Sequence, residues 1–470
     1  EAKTGKLKLI IRGGVGVDNI DREAATERGV IVCNAPLSNI VSAAEQTMAL
    51  MLAVARNTAR ADKSMKDGKW NRSKFVGTEL QGKTLGIFGT GHVGQLVAER
   101  AAAFGMNLIG YDPYCPVELA AHYGITLYDD ILEVCKHSDV ITLHMPKTPE
   151  TTNMIGAEQL NAMPEGAIVL NVARGGLVDL NALATALETG HIGGAGIDVW
   201  ENEPVSDSPI HGFDNVVLTP HLGASTHEAQ TRAATQIAEY VIAGLQGKTV
   251  NTVVNAARIP EDVMQKIGTY MPVCQKTGEL IAQLTIGSVS KVTVRVCGEI
   301  SKTDPTALGT AALAGIVAPG SEVPVNIINA GYLAEQRGIE VETKTDPLSY
   351  VYPSYVEITA RTNKGDVKVA ATQALGHDNP RIIDISGYTV DFVPEQDVII
   401  LEYVDGPGRI GKIGTILGNA GISVESMQIA RNDETDTAMV LMNLDKPITA
   451  RIQDDIEKAV NCTRAWFVEL

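Results

Sequence analysis

Short apolar runs alternate with helical patterns through the first half of the chain. Mainly apolar runs of strand length occur at 85–88, 108–111, 140–143, 167–172, 196–200 and 216–219. Segments with helical spacing, such as 97–104, separate these runs. Strands that alternate with helices predict an α/β fold with a doubly wound parallel sheet, whose ligands bind at the carboxyl ends of the strands.

The first of these strands leads into a glycine-rich turn. Gly89, Gly91 and Gly94 form a G-x-G-x-x-G pattern between the strand and a helix, and the following strand ends at Asp112. The glycines permit a tight turn, approach of a pyrophosphate and close helix packing, while the acidic residue accepts hydrogen bonds from a ribose. We therefore predict a Rossmann-type domain that binds NAD, because a 2′-phosphate would meet the like charge of Asp112. His92, inside the turn, is interpreted as a neighbour of the cofactor.

Three later strand ends carry the side chains of a hydride-transfer site. Arg174 follows one strand, Glu203 another, and His221 the last. A guanidinium can bind a substrate carboxylate through two parallel hydrogen bonds. A carboxylate beside an imidazole can orient the ring, which then exchanges a proton with an alcohol. Taken singly, Arg174 could be a structural salt-bridge residue and His221 an ordinary core or cap histidine. His144, at another strand end, could be a cofactor neighbour or a proton carrier.

The segment before the glycine turn predicts a loop and a long helix. Arg12 opens the glycine-rich stretch Gly13-Gly-Val-Gly-Val-Asp-Asn19, which could either hold an anion or be a tight turn with a solvated arginine. Ser42-Ala-Ala-Glu45 has the form of a capping box, so we predict that a helix starts there and continues beyond Leu52.

The second half of the chain predicts two further α+β domains. A helix is expected over 262–283, and the alternating segments 356–360 and 367–371 are expected to pair as a hairpin. From residue 398 the predicted order of elements is βαββαβ, which is typical of a small ferredoxin-like domain. Five cations could either line an anion site or be scattered solvated charges: Lys291, Arg295, Arg337, Lys344 and Arg361.

Composition narrows the classes of function. The 39 basic and 56 acidic residues give a net charge of −17, which argues against broad binding to nucleic acid or anionic membranes. The six cysteines include no C-x-x-C pair, so a metal site or a disulfide framework is not indicated, and a reducing cytoplasm is expected. No apolar run is long enough for a membrane span, and no secretory signal is evident.

Taken together, the motifs resemble the D-isomer-specific 2-hydroxyacid dehydrogenases. The resemblance rests on Gly-Val-Gly-Val-Asp-Asn, the glycine turn with Asp112, Asn-Val-Ala-Arg-Gly-Gly, Glu-Asn-Glu-Pro and Pro-His-Leu-Gly-Ala-Ser-Thr. Met-Lys-Asp-Gly-Lys-Trp, Gly-Thr-Glu-Leu-Gln-Gly-Lys-Thr and the two extra domains resemble the long form of the family. That form implies NAD-dependent oxidation of 3-phospho-D-glycerate in serine biosynthesis and a homotetramer, with L-serine as a possible effector.

The resemblance also implies roles for individual residues. Arg174, Glu203 and His221 fall on catalytic positions. Substrate contacts are implied for Arg12, Val15, Arg174 and His221. Effector contacts are implied for Tyr403, Asp405 and Ser423. Cofactor contacts are implied for Gly89, Gly91, His92, Val93, Gly94, Asp112, Met145, Val172, Ala173, Arg174, Asp198, His221, Gly223 and Ala224.

The same resemblance implies a division into domains. Residues 1–36 and 224–254 are expected to form a discontinuous substrate domain, and 37–223 the NAD-binding domain. Residues 255–394 resemble an allosteric substrate-binding domain and 395–470 an ACT regulatory domain. Because the family has further residues before Glu1, we expect the N-terminal portion of the substrate domain to be absent from this chain.

Two alternative functions remain open. A hydroxypyruvate or glyoxylate reductase would share the same dehydrogenase motifs but would not need the two C-terminal domains. A redox-sensing protein could keep the cofactor glycines, and even the catalytic trio, while it controls a partner instead of turning over a substrate.

Overall fold

A computed structural model describes residues 6–245, 250, 252–257, 259–349, 351–373, 380–394, 397–432 and 435–470. The chain divides into two compact units. We call Ile11–Val17 with Asn34–Ile242 the parallel-sheet unit, and Glu1–Ile10 with Asp18–Cys33 and Ala243–Leu470 the two-sheet unit, after its six-stranded and four-stranded sheets. Each is described separately.

The parallel-sheet unit is built on seven described strands, all paired in parallel. Their order in the sheet is β5-β4-β3-β6-β7-β8-β9. The strands are β3 (Thr84–Phe88), β4 (Asn107–Tyr111), β5 (Thr126–Leu127), β6 (Val140–Leu143), β7 (Ala167–Asn171), β8 (Ile192–Ile197) and β9 (Val216–Leu218). The predicted doubly wound parallel sheet is confirmed, and the buried strands explain the continuous apolar runs.

Helices α2 (Ile40–Ala55) and α3 (Thr58–Lys66) precede these strands, and helices follow most of them. The others are α4 (His92–Ala103), α5 (Val117–His122), α6 (Ile131–Lys136), α7 (Ala157–Ala162), α8 (Leu180–Glu188) and α9 (His227–Leu245), with a 3₁₀ turn at Arg72–Phe75. Among the described helices, none combines the length and apolar composition that crossing a bilayer requires.

The predicted start of the long helix is wrong. Helix α2 begins at Ile40, with Asn39 at its N-cap, rather than at Ser42. Ser42 lies within the first turn and is 5% exposed, and its hydroxyl is 2.7 Å from that of Thr226. A tertiary contact therefore uses the side chain that the capping-box pattern assigned to the helix end.

The strand order places a crevice beside the glycine turn. Strand β3 pairs with β4 on one side and with β6 on the other, so the direction in which strands are added reverses at β3. In open parallel sheets, ligands bind outside the carboxyl ends of the strands at this reversal.

The two-sheet unit includes a segment from the beginning of the chain. Its elements are β1 (Leu9–Arg12), α1 (Arg22–Glu27) and β2 (Ile31–Asn34), and β1 pairs with β2. Val254 N donates to Val32 O at 2.8 Å, and Cys33 forms a β-bridge with Val253. The chain thus returns to its first segment near residue 253.

A six-stranded sheet forms the middle of this unit, in the order β11-β10-β12-β13-β14-β15 among the described residues. Its strands are β10 (Val289–Gly298), β11 (Glu340–Asp346), β12 (Ser354–Thr362), β13 (Gly365–Gln373), β14 (Pro380–Ile385) and β15 (Tyr388–Phe392). The accompanying helices are α10 (Glu261–Ile267), α11 (Tyr270–Leu284), α12 (Thr306–Val317) and α13 (Ala330–Gln336), with a 3₁₀ turn at Glu299–Lys302.

Of the two secondary-structure predictions made for this domain, the hairpin is right and the single helix is not. The hairpin is confirmed, because β12 and β13 pair antiparallel through the Thr362 and Gly365 register. The single helix expected over 262–283 is wrong, since it is divided between α10 and α11 around Gly268.

Four of the five cations of this domain lie on strands of the sheet, and Arg337 caps the C-terminus of α13. Carboxylate oxygens lie within 4 Å of four of them, and Arg337 donates to Pro319 O at 3.2 Å. The ion pairs are Lys291 with Glu340 and Glu342, Arg295 with Asp346 and Glu357, Lys344 with Glu342, and Arg361 with Asp366. Because acidic neighbours compensate these charges, the arrangement favours surface ion pairs over an anion site.

The last domain has the predicted ferredoxin-like order. Its strands pair in the order β17-β18-β16-β19. The elements are β16 (Asp397–Val404), α14 (Arg409–Asn419), β17 (Val424–Asn432), β18 (Thr437–Leu444), α15 (Ala450–Val460) and β19 (Cys462–Glu469). The boundary expected between 394 and 395 falls beside residues 395–396, which lie outside the described chain.

Candidate active site

The glycine turn has the shape that a pyrophosphate requires. Gly89 has a φ of +91°, and a Cβ there would lie 2.7 Å from His144 O. A Cβ on Gly94 would lie 2.2 Å from Gly89 O, so only glycine lets α4 approach the turn. At Gly91, which caps α4, a Cβ would have no atom within 4 Å. The space beside Gly91 and the free N–H groups of the helix end fit a phosphate group.

Asp112 is held at the end of β4 by the same turn. Its Oδ2 accepts hydrogen bonds from Thr90 N at 2.8 Å and Thr90 Oγ1 at 3.1 Å, and its Oδ1 accepts from Tyr114 N at 3.0 Å. A carboxylate has about four acceptor positions, so one remains for a ribose hydroxyl. These three hydrogen bonds therefore fix the orientation of Asp112, the side chain predicted to bind the ribose.

Replacing this carboxylate is expected to change cofactor selectivity. In Asp112→Ala the ratio of kcat/KM with NADP to that with NAD should rise about tenfold or more, because the charge that repels a 2′-phosphate is gone. The matched control is Asp179→Ala, which removes a helix N-cap on α8 that also binds two backbone N–H groups. A selectivity ratio equal in Asp112→Ala and Asp179→Ala would show that Asp112 is not the ribose ligand.

A cavity of about 400 Å³ lies at the carboxyl ends of the strands. Nine residues predicted to contact cofactor or substrate line it: Val15, Val93, Met145, Val172, Ala173, Arg174, His221, Gly223 and Ala224. The wall is completed by Asn39, Ala43, His144 and Pro146. Residues from distant parts of the sequence thus meet in one cavity beside the glycine turn.

The predicted carboxylate–imidazole pair is present. His221 Nδ1 lies 2.7 Å from Glu203 Oε2, and the other oxygen of Glu203 accepts from Trp200 N at 3.0 Å. Two hydrogen bonds therefore hold the carboxylate, which in turn leaves Nε2 of the imidazole as the nitrogen available to a substrate. The catalytic role of the pair stays a prediction.

The surroundings of Glu203 favour its charged form. Partial burial raises the pKa of this carboxyl, but hydrogen bonds from His221 and Trp200 N, with the charges of His221 and Arg174, outweigh burial and lower it. The side chain is a carboxylate at neutral pH and can stabilise a protonated imidazole beside it.

Arg174 lies in a loop that the last residue of the preceding strand, β7, holds in place. The buried Asn171, at the end of β7, donates to Arg174 O at 2.9 Å and accepts from Ala173 N at 3.1 Å. Arg174 Nη1 donates to Ala173 O at 2.7 Å. The loop is therefore fixed by an amide side chain, and the guanidinium lines the same cavity as His221.

His144 is a poorer proton carrier than His221. Removal of water from its ring lowers the pKa of His144 to about 3. Its Nε2 lies 3.0 Å from Thr142 Oγ1. A ring that stays neutral through the physiological range cannot store a proton during turnover, so the cofactor-neighbour interpretation is favoured.

Asp198 is wholly buried beneath the loop that carries His221. Its carboxylate accepts from Leu222 N at 2.7 Å, from Gly223 N at 2.8 Å and from the hydroxyl of Thr219. It does not appear among the described residues of the cavity wall. In this structure its contacts are therefore with the loop.

Several other predicted residues lie away from the cavity wall. Gly89, Gly91, His92, Gly94 and Asp112 belong to the glycine turn and the end of β4. Arg12 hydrogen bonds through Nη1 to Gly16 O, within its own glycine-rich loop.

The three predicted effector residues belong to the two-sheet unit. Tyr403 is 1% exposed and packs in the core of the last domain. Asp405 Oδ2 pairs with Arg431 Nε at 2.9 Å, and exposed Ser423 donates its N–H to Asp445 Oδ1 at 2.9 Å. Asp405 and Ser423 lie at the surface, whereas the ring of Tyr403 is enclosed.

Two asparagines of the candidate site were not predicted from the sequence. Asn39 lies in the cavity wall and at the N-cap of α2, and Asn171 fixes the loop of Arg174. An asparagine just before a helical pattern is a recognised N-cap signal and could have identified Asn39. Asn171 had a signal too, because it is an amide within a mainly apolar run and a buried amide requires hydrogen-bond partners.

Comparison with known families agrees with this geometry. Residues 48–223 match the model of the D-isomer specific 2-hydroxyacid dehydrogenase NAD binding domain. Residues 266–386 match the model of the D-3-phosphoglycerate dehydrogenase intervening domain.

Full-length relatives are similar throughout. The chain is 44% identical over 468 residues to D-3-phosphoglycerate dehydrogenase of Methanocaldococcus jannaschii, covering 100% of this chain and 89% of the relative. It is 41% identical over 472 residues to that of Mycobacterium leprae, covering 100% and 88%. A solved structure of a putative D-isomer specific 2-hydroxyacid dehydrogenase from Polaromonas sp. JS6 66 matches with a TM-score of 0.50 and 32% identity, over 53% of this chain and 78% of that one.

Proposed function

This chain belongs to the D-isomer-specific 2-hydroxyacid dehydrogenase family, in its D-3-phosphoglycerate dehydrogenase branch, and we propose that it oxidises 3-phospho-D-glycerate to 3-phosphohydroxypyruvate with NAD. The observation that carries the proposal is the 2.7 Å contact between His221 Nδ1 and Glu203 Oε2, with His221 and Arg174 lining one cavity. This reaction is the first step of the phosphorylated route to L-serine.

Three side chains of the chain itself have roles in the chemistry. We assign Arg174 to the carboxylate of the substrate, where a guanidinium also polarises the adjacent C2 oxygen. Nε2 of His221 accepts the proton of the C2 hydroxyl during oxidation and returns it during reduction. Glu203 holds Nδ1 and stabilises the imidazolium, and we assign Arg12 and Val15 to further substrate contacts.

The residues around the glycine turn fit NAD. Gly89, Gly91 and Gly94 would hold the pyrophosphate, and Asp112, which the glycine turn orients, would hold the adenosine ribose. When bound, NAD supplies the acceptor for the hydride that leaves C2. Val93, Met145, Val172, Ala173, Gly223 and Ala224 would line the rest of the cofactor site.

Steady-state formation of NADH tests the assignment. With NAD, the chain should turn over 3-phospho-D-glycerate with a kcat/KM at least about a hundredfold above that for D-glycerate, because a second anionic group adds binding energy. Equal or better turnover of glycerate, or reduction of glyoxylate in preference, would favour a hydroxypyruvate or glyoxylate reductase. NADH binding without turnover of any of these acids would favour an NAD-sensing role.

We further propose that L-serine acts through the last domain. The turn after β16 supports this, since Asp405 lies at the surface and Oδ1 accepts from Gly406 N at 2.8 Å. L-Serine should inhibit turnover, and Asp405→Ala should weaken serine binding about tenfold by removing a carboxylate that can pair with the amino group. The control is Asp454→Ala on the exposed face of α15. Calorimetry showing no heat at high serine would contradict the proposal.

We also propose that the chain forms a homotetramer, and the last domain supports this. Strand β17 is at one edge of the last sheet, and Val424, Met427 and Ile429 on it are 39%, 45% and 41% exposed. An edge strand with exposed apolar side chains can pair with a second copy. Sedimentation equilibrium should give a tetramer mass, and a monomer at assay concentration would contradict this proposal.

The domain limits stay proposals. The return of the chain at Val253 and Val254 to β2 supports a discontinuous substrate domain, 1–36 with 224–254. We propose 37–223 as the NAD-binding domain, 255–394 as the allosteric domain and 395–470 as the ACT domain. All six cysteines are free thiols, which supports the proposed cytoplasmic location.

A further inference from the structure

A hydroxyl and an amide lie behind the loop that carries His221. Gln46 Nε2 lies 3.2 Å from Thr219 Oγ1, and that hydroxyl is hydrogen bonded to Asp198 Oδ1. A carboxylate only accepts, so the hydroxyl proton of Thr219 must point to Asp198. The lone pairs of Thr219 then accept from the amide of Gln46, and the direction of both hydrogen bonds is determined.

Asp198 holds the loop on both sides of His221. Its backbone oxygen accepts from His221 N at 2.8 Å, while its carboxylate accepts from the N–H groups of Leu222 and Gly223. His221 itself has a φ of +57°, a left-handed conformation that is uncommon for a residue with a side chain. The orientation of the Asp198 carboxylate therefore determines the direction in which the imidazole projects.

The far end of this chain of hydrogen bonds is on a rigid element. Gln46 lies in α2, which packs against the parallel sheet so closely that a Cβ on Gly196 would be 3.0 Å from Leu50 Cβ. A second tie comes from Trp200, which is 7% exposed and whose Nε1 donates to Thr219 O at 3.2 Å. Thr219 is thus fixed through both its side chain and its backbone.

We propose that Gln46 and Thr219 are positioning residues for the proton transfer. They orient the buried Asp198 carboxylate, and through it the 221–223 loop, so that the imidazole of His221 meets Glu203. The inference rests on the proposed dehydrogenase function but concerns residues outside its catalytic trio. Neither side chain is among the described residues of the cavity wall, so both act through Asp198.

Isosteric substitutions test the proposal. Thr219→Val keeps the shape of the side chain without its hydroxyl and should lower kcat about tenfold, with KM for 3-phosphoglycerate changed less than about twofold. Thr219→Ser restores the hydroxyl and should recover kcat to within about twofold of wild type. The matched control is Thr185→Val on α8, whose exposed hydroxyl only donates to Asn181 O.

A double-mutant cycle tests the order of the contacts. Gln46→Leu should lower kcat about threefold alone and have no further effect in the Thr219→Val background, because its action passes through Thr219. In crystals of Thr219→Val the separation of His221 Nδ1 from Glu203 Oε2 should exceed about 3.5 Å, against 2.7 Å here. If Thr219→Val does not fold, Gln46→Leu, which keeps the Thr219–Asp198 hydrogen bond, provides the kinetic test.

Unchanged kcat and an unchanged 2.7 Å contact in Thr219→Val would overturn the proposal, as would additive effects of the two substitutions. A loss of kcat in Thr219→Val that Thr219→Ser does not restore would overturn it too. If wild type does not oxidise 3-phosphoglycerate, the proposed function fails, while the crystallographic distance still decides whether Thr219 positions His221.

Discussion

His221→Ala is expected to lower kcat about a thousandfold, because positioned general acid–base groups contribute about 10² to 10⁴ in rate. The imidazole is the group in the cavity wall that combines a free ring nitrogen with a carboxylate partner, Glu203 at 2.7 Å. NADH binding should persist, since the glycine turn and Asp112 are untouched. The measurement is steady-state kcat together with NADH affinity from fluorescence titration.

The control for this change is a surface histidine. His122→Ala, at the exposed end of α5, should leave kcat unaltered. A His221→Ala protein that retains wild-type turnover would contradict the role of this residue as proton acceptor, and equal loss in both variants would indicate a non-specific effect.

Arg174→Lys is expected to lower kcat/KM by about two to three orders of magnitude, although the substitution retains the positive charge. A guanidinium can make two parallel hydrogen bonds to a carboxylate, and an ammonium cannot reproduce that fork. Because the same contact orients the C2 oxygen, we expect a lower kcat in addition to a higher KM. Initial rates over a range of 3-phosphoglycerate concentrations separate the two effects.

The comparison variant is Arg451→Lys, on the exposed surface of α15. It makes the same chemical change outside the cavity and should be kinetically silent. Wild-type KM and kcat in Arg174→Lys would contradict the proposal that the guanidinium of Arg174 binds the substrate carboxylate.

Much of the parallel-sheet unit could be predicted because its strands are buried on both faces. Leu85, Ile87 and Phe88 in β3 are each 0% exposed, and such continuous apolar runs are conspicuous in a sequence. The capping-box pattern placed the helix start at Ser42 instead of Ile40, because the hydroxyl of Ser42 contacts Thr226, a residue distant in the chain. Long-range contacts of this kind override local capping preferences.

The candidate site, too, could be predicted from the sequence only in part. Glu203 and His221 were found because each follows a strand, and parallel strands bring their carboxyl ends to one edge of the sheet. Asp198 was assigned to the cofactor by resemblance, and that assignment stays a prediction; in the structure its carboxylate accepts from two loop amides and from the hydroxyl of Thr219. Hydrogen bonds between a buried carboxylate and a loop leave no periodic signal, so Thr219 and Gln46 could not be recognised from the sequence.

We place the departure of the hydride from C2 of 3-phospho-D-glycerate in the cavity that Arg174 and His221 line, where Glu203 is hydrogen bonded to His221. The most direct measurement is mass spectrometry of the reduced cofactor after turnover of substrate deuterated at C2. We expect one deuterium per molecule of NADH formed by the wild-type chain, and about a thousandfold slower formation by His221→Ala. NADH without deuterium, or deuterated NADH formed equally fast by His221→Ala, would contradict this placement.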